Sequence, residues 1–97
     1  MREDIEKRLY ELIETFGDQP LDFSIEGEVR RMLHIILSES MQAMEFVIAI
    51  ENEFEIEFDD EDISIEFFLD LDHIVLSVLR SLRQKAEDDQ VQLSAVT

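Results

Sequence analysis

The segment Ser40–Phe54 constrains this chain more than any other. Phe46, Ile50 and Phe54 recur at i, i+4 and i+8 with Val47 beside them, while Met41, Met44 and Ile48 recur at i, i+3 and i+7. Both stripes have the spacing of a helix face. Gln42, Glu45, Glu51, Asn52 and Glu53 fill the polar positions, and Ala43 and Ala49 are small. The apolar arc is wider than one core contact needs. One stripe is therefore expected to face the core and the other to stay near the surface beside Ser40.

The rest of the chain repeats the helical theme. Ile5, Leu9, Leu12, Ile13 and Phe16 predict a first helix over about 3–16, ended by Gly17, Asp18 and Pro20. Residues 17–38 read as a long connection interrupted by Pro20 and Gly27, in which Ser24 could cap a turn. Val29, Leu33, Ile36 and Leu37 nonetheless fit a short helical stripe, and so long a connection without regular structure is unusual. The run Glu53-Phe54-Glu55-Ile56-Glu57-Phe58 alternates with the period of a strand, but no second alternating run of similar quality can pair with it. A helix end followed by an extended connector is the better reading. Asp59, Asp60, Glu61 and Asp62 are placed to cap a short helix carrying Ile63 and Ile65. Leu71, Ile74, Val75, Val78, Leu79 and Leu82 predict the last helix, with Asp70 and Asp72 at its start and Arg80, Arg83 and Lys85 at its end. Residues 1–87 thus form one domain, and 88–97 read as a flexible polar tail. The fold class is all-α: a small four-helix bundle with a long loop between helices one and two.

The charge narrows the function classes. Twenty-five Asp and Glu stand against eight Lys and Arg, for a net charge of −17. No Lys or Arg lies between Met32 and Leu79, where thirteen acidic residues do. Such a surface repels nucleic-acid backbones and anionic lipid, and it steers basic protein surfaces. No apolar run is long enough for a transmembrane helix, and the N-terminal residues lack a signal-peptide core. The expectation is a cytoplasmic monomer that binds neither nucleic acid nor membrane. There is no cysteine, hence no disulfide or cysteine-based zinc site. His34 and His73 are isolated and lack metal-ligand spacing, and the Asp59–Asp62 run lacks the sixth-position glycine of an EF-hand loop. No nucleophile–base constellation is legible, so the chain does not read as an enzyme.

Ser40 by itself reads as an ordinary helix N-cap. Its surroundings say more. Glu39-Ser40-Met41 opening a helix that ends Ala49-Ile50-Glu51-Asn52-Glu53-Phe54-Glu55-Ile56 resembles the second helix of acyl carrier proteins, and is also similar to D-alanyl carrier proteins. Ile5-Glu6-Lys7-Arg8-Leu9 with Leu12-Ile13 looks like that family's first helix, so the likeness spans about residues 3–83. The resemblance implies a bundle of acyl-carrier type with 4′-phosphopantetheine esterified to Ser40. It further implies a thioester-linked acyl or aminoacyl cargo for lipid, fatty-acid or secondary metabolism. The implied partners are a phosphopantetheinyl transferase and acyl-handling enzymes with basic docking patches. The family's partner-contacting surface maps onto Glu39, Glu45, Glu51 and Glu53, with Met41, Met44 and Ile48 as apolar contacts. The sequence departs from the pattern in having Glu39 for Asp, Met41 for Leu, Leu37-Ser38 where a glycine is usual, and the basic pair Arg30-Arg31. Those departures motivate the alternative of an unmodified acidic module that docks a basic partner. A helix N-terminus suits the carrier role, since its free N–H groups and dipole favour a phosphate on the serine oxygen.

At −17 the folded state repels itself. Added salt or magnesium at neutral pH is expected to raise the melting temperature, measured by circular dichroism; a flat response would show that the acidic groups lie too far apart to matter.

Overall fold

The computed structural model describes residues 2–68 and 70–96, with side chains described through residue 87. Its element order is α1 (Arg2–Gly17), α2 (Glu28–Ser38), α3 (Ser40–Phe54), a 3₁₀ turn (Ile65–Phe68) and α4 (Leu71–Val96). The described residues are helical or irregular, with no strand among them. An all-helical fold is therefore what the hydrophobic periodicity predicts and what the structure has.

Each helix buries the stripe its spacing dictates. From α1 these are Ile5, Leu9 and Ile13; from α3, Ala43, Phe46, Val47, Ile50 and Phe54; from α4, Ile74, Val75 and Val78. α1, α2 and α3 pack on one another, and α4 closes the core against α1 and the 3₁₀ turn. Among the described residues, nineteen buried apolar side chains form one continuous core. At roughly 1.5–3 kcal/mol for each large side chain fully buried, this burial is the dominant stabilising term.

The long loop expected between the first two helices is largely absent. Its second half is the 11-residue helix α2, which buries Met32, Leu33 and Ile36. The irregular connection is only 18–27, and polar side chains hold it. Glu14 Oε2 accepts from the Leu21 N–H at 2.7 Å, and Asp22 Oδ1 accepts from both the N–H and the hydroxyl of Ser24. Asp22, not Ser24, is thus the acceptor of this turn, and the Ser24 hydrogen bonds hold its carboxyl below the ordinary value. Gly27, at φ 77°, leads into α2 with no side-chain cap. Glu28 is 5% exposed and pairs with Arg31 at 2.7 Å. The helix brings those two residues, three positions apart, onto one side.

The end of α3 follows the alternation that mimics a strand. Glu55 sits in the left-handed region at φ 53°, and the N–H groups of Glu55 and Ile56 both turn back to the Glu51 carbonyl. This is a Schellman-type stop, in which the residue after the helix would ordinarily be glycine. The chain then runs irregularly with Ile56 and Phe58 buried and Glu55 and Glu57 exposed. The period of two is therefore that of a connector lying on the core.

Two further expectations shift. The short helix predicted around Ile63 and Ile65 is instead a turn at Asp59–Asp62 followed by the 3₁₀ segment, which buries Phe67 and Phe68 and leaves Ile65 70% exposed. Ile63 and Ile65 are two apart and do not share a helix face. α4 also continues as helix to Val96, through the segment read as a tail. Arg80 and Lys85 consequently lie mid-helix rather than at a C-terminus. They reach the acidic connector instead: Arg80 pairs with Asp62 at 3.1 Å and Lys85 Nζ donates to the Glu55 carbonyl at 2.9 Å.

The positive φ at Glu55 generates a prediction. Glu55→Gly should stabilise the fold by about 0.5–1 kcal/mol in urea denaturation, by removing the left-handed penalty of a side chain. Glu55→Ala, which removes the charge and keeps the penalty, should not; equal gains from both would assign the effect to charge.

Candidate functional site

α2 and α3 are separated by one residue. Glu39 is extended (φ −111°, ψ 107°), and the two helix axes meet at 117°. Extended geometry at Glu39 ends one helix and starts the next: its N–H reaches the Ile36 carbonyl at 3.3 Å, and its carbonyl accepts from the Ala43 N–H at 2.8 Å. Ser40 is therefore the first helical residue of α3 rather than its N-cap. That position belongs to Glu39, whose side chain makes no capping bond.

The two serines at this junction differ. The Ser38 hydroxyl donates to the Ile35 carbonyl at 2.6 Å, satisfying an orphan acceptor at the end of α2. The Ser40 side chain is exposed and has no hydrogen-bond partner among the described residues. Its hydroxyl projects from the helix end where the first N–H groups of α3 lack intrahelical acceptors. A phosphate ester on that oxygen would lie at the N-terminal turn of α3, where free N–H groups and the positive end of the helix dipole favour an anion.

Beside Ser40 lies the second stripe of α3. Met41 is 76% exposed, Met44 61% and Ile48 50%. The stripe is wholly outward, with no share of the core, because Phe46, Val47, Ile50 and Phe54 already cover the inward arc. Glu45 and Asn52 are exposed on the same outward arc. Asn52 was legible only as a polar filler, because nothing in its spacing separates a partner contact from a solvated residue.

The acidic residues assigned to this surface divide. Glu39 and Glu45 are open to solvent. Glu51 is half-buried, and its Oε2 accepts from the Phe58 N–H at 2.9 Å, pinning the connector to α3. Glu53 turns toward α1 and lies 3.9 Å from Arg8, which also stands over the Phe54 ring at 5.8 Å. By helical angle Glu51 and Glu53 flank the buried arc on its two sides, whereas Glu45 lies opposite it. Spacing alone did not separate them, because their bonding partners come from distant sequence.

The basic pair close to Ser40 in sequence is remote along α2. Arg31 is committed to Glu28, and both arginines lie near the start of α2, roughly 11 Å of helix rise before its end at Ser38. His34 and His73 are exposed, and no group of acidic or histidine residues that could hold a metal occurs among the described residues. Nor, among the described residues, does any single helix have the length and apolarity to cross a membrane. Compared with known proteins, the chain matches no family model, no curated protein and no solved structure.

The division of the acidic residues is directly testable. Glu51→Ala should cost about 1–2 kcal/mol, because the Phe58 N–H loses a charged acceptor. Glu45→Ala should fall within about 0.5 kcal/mol of the parent protein. Urea unfolding of the two variants checks this, and equal small effects would remove the structural role given to Glu51.

Proposed function

We propose that this chain is a carrier protein: a four-helix bundle of acyl-carrier type that bears 4′-phosphopantetheine on Ser40 and delivers a thioester-linked acyl or aminoacyl group to partner enzymes. One observation carries the reading. An exposed, unbonded serine hydroxyl opens α3 directly beside an outward apolar stripe that the core does not use. The sequence likeness of Ser40–Ile56 to carrier helices points the same way.

In this reading the Ser40 hydroxyl attacks the pyrophosphate of coenzyme A. A phosphodiester forms at Ser40, adenosine 3′,5′-bisphosphate leaves, and the hydroxyl proton passes to the transferase. The arm supplies a thiol, so the chain itself needs no activated nucleophile and is not an enzyme. The free N–H groups at the start of α3 favour the phosphodiester charge. Glu39 and Glu45 steer basic docking patches on the transferase and on acyl-handling enzymes, and Met41, Met44 and Ile48 supply the apolar contact. Charge-steered docking of this kind is fast and reversible, as a shuttle requires. Lipid, fatty-acid or secondary metabolism would supply such partners in the cytoplasm.

Intact-mass spectrometry after incubation with coenzyme A, magnesium and a broad-specificity phosphopantetheinyl transferase tests the proposal. The expected gain is about 340 Da, the mass of one arm on a serine hydroxyl. Ser40→Ala should abolish the gain while leaving the circular dichroism spectrum and melting temperature unchanged within about 2 °C. Loading that persists in Ser40→Ala removes Ser40 from the reading. Absence of loading with several transferases favours the unmodified docking module, which would keep the same acidic and apolar face.

A further inference from the structure

The methionines of α2 and α3 occupy two opposite environments. Met32 of α2 is fully buried. Its sulfur accepts from the Gln19 side-chain amide at 2.9 Å, and its methyl group lies so close to Gly17 that a Cβ there would collide with it. An oxygen added to that sulfur would have to displace the core around it. Met41 and Met44 are both exposed, three positions apart on the outward arc of α3. Neither of their sulfurs has a hydrogen-bond partner among the described residues.

Those two thioethers are two of the three large apolar side chains that α3 exposes; Ile48 is the third. The core takes no share in this stripe, because Phe46, Val47, Ile50 and Phe54 fill the inward arc. The chemical state of the stripe can therefore change while the fold stays as it is. A thioether is apolar and adaptable, yet a mild oxidant turns it into a polar sulfoxide, which no oxidant of that strength does to leucine or isoleucine.

We infer that Met41 and Met44 form a paired oxidation site, and that their conversion to sulfoxides by a peroxide switches the face beside Ser40 from apolar to polar and weakens docking there. The site rests on exposure and placement; its effect on docking rests on the carrier reading above. In each step the sulfur lone pair attacks one peroxide oxygen and the O–O bond breaks. That oxygen stays on sulfur, which is oxidised by two electrons, and the other leaves as water with both peroxide protons. A partner that covers a sulfoxide oxygen without donating to it leaves a buried acceptor unsatisfied. Glu39 and Glu45 still steer a basic surface toward α3, but the contact it reaches is no longer apolar. The switch is reversible, since methionine sulfoxide reductases restore the thioether with electrons from a dithiol and release of water.

The test treats the full chain with hydrogen peroxide, removes the excess with catalase and scores each methionine by peptide mapping. Met41 and Met44 should each gain about 16 Da roughly tenfold faster than Met32. The melting temperature should stay within about 3 °C of the untreated protein, because no core group changes. In loading with coenzyme A, magnesium and a broad-specificity transferase, the oxidised chain should show a KM raised about fivefold and a kcat within about twofold, as expected when binding is lost and chemistry is not. Methionine sulfoxide reductases of both epimer specificities, with dithiothreitol, should restore the original KM. The variant carrying Met41→Leu and Met44→Leu keeps the stripe apolar without its sulfurs, and peroxide should leave that variant's own KM where it was. Met32 oxidised as fast as Met41 and Met44 overturns the site, and an oxidised chain with unchanged KM overturns the switch; both leave the carrier reading intact. A KM that still rises with peroxide in the double variant overturns the assignment to these two sulfurs. An untreated chain that no transferase loads overturns the carrier reading and the switch with it.

Discussion

Phe46 is where the helices of this protein meet. It projects from the middle of α3, is fully buried, and touches Phe16 of α1 on one side and Phe68 of the 3₁₀ turn on the other. Its side chain fixes the rotation of α3 about its own axis, and that rotation decides which residues α3 shows to solvent. With Phe46, Ile50 and Phe54 held inward, Met41, Met44 and Ile48 have only the outside left to them. The outward stripe is thus a consequence of core packing. Exposed apolar side chains of that size, grouped on one helix and beside a free hydroxyl, are the kind of surface a partner covers.

The distribution of charge follows a similar logic. Arg2 holds Asp72 and Glu6, Arg8 lies near Asp4 and Glu53, Arg31 pairs with Glu28, and Arg80 with Asp62. Such pairs are mostly exposed, and each adds little stability by itself. They do place the cations on α1, α4 and the start of α2, against acidic groups of α1, α2, α4, the turn at Asp62 and, through Glu53, the inner edge of α3. Glu39 and Glu45 lie in the stretch that has no basic residues in sequence, so their charge acts outward. A basic surface approaching α3 meets a field that the protein's own cations leave in place.

How much of this the sequence disclosed depends on where each signal originates. The first helix, α3 and the core face of α4 were legible because their apolar residues repeat at helical spacing over three or more turns. The connector after α3 was legible because period two without a partner strand leaves few alternatives. α2 was obscured by Pro20 and Gly27, which punctuate the chain before it but do not enter it. The 3₁₀ turn was misplaced because acidic capping signals at Asp59–Asp62 precede the residues that pack, Phe67 and Phe68. At the site, the exposure of Ser40 and the two-sided division of α3 could be read in outline. The structural commitments of Glu51 and Glu53 could not, since their partners, Phe58 and Arg8, are set by tertiary packing.

The one-residue break between α2 and α3 bears on why the proposed modification falls on Ser40 and not on Ser38. Two helices meeting at 117° about a single extended residue leave little slack, so the first turn of α3 is held by the packing of both. At the end of α2 the unsatisfied groups are carbonyls, and the Ser38 hydroxyl is drawn to one of them as a donor. At the start of α3 they are N–H groups, from which a serine hydroxyl accepts when it occupies the N-cap; Ser40 is instead the first helical residue, and its hydroxyl makes no such bond. Position relative to the two helix ends therefore consumes one hydroxyl and leaves the other free, although the two serines are only two residues apart and both are exposed. An anion added to Ser40 gains donors, whereas one added to Ser38 would face carbonyl oxygens and would first have to break an existing hydrogen bond.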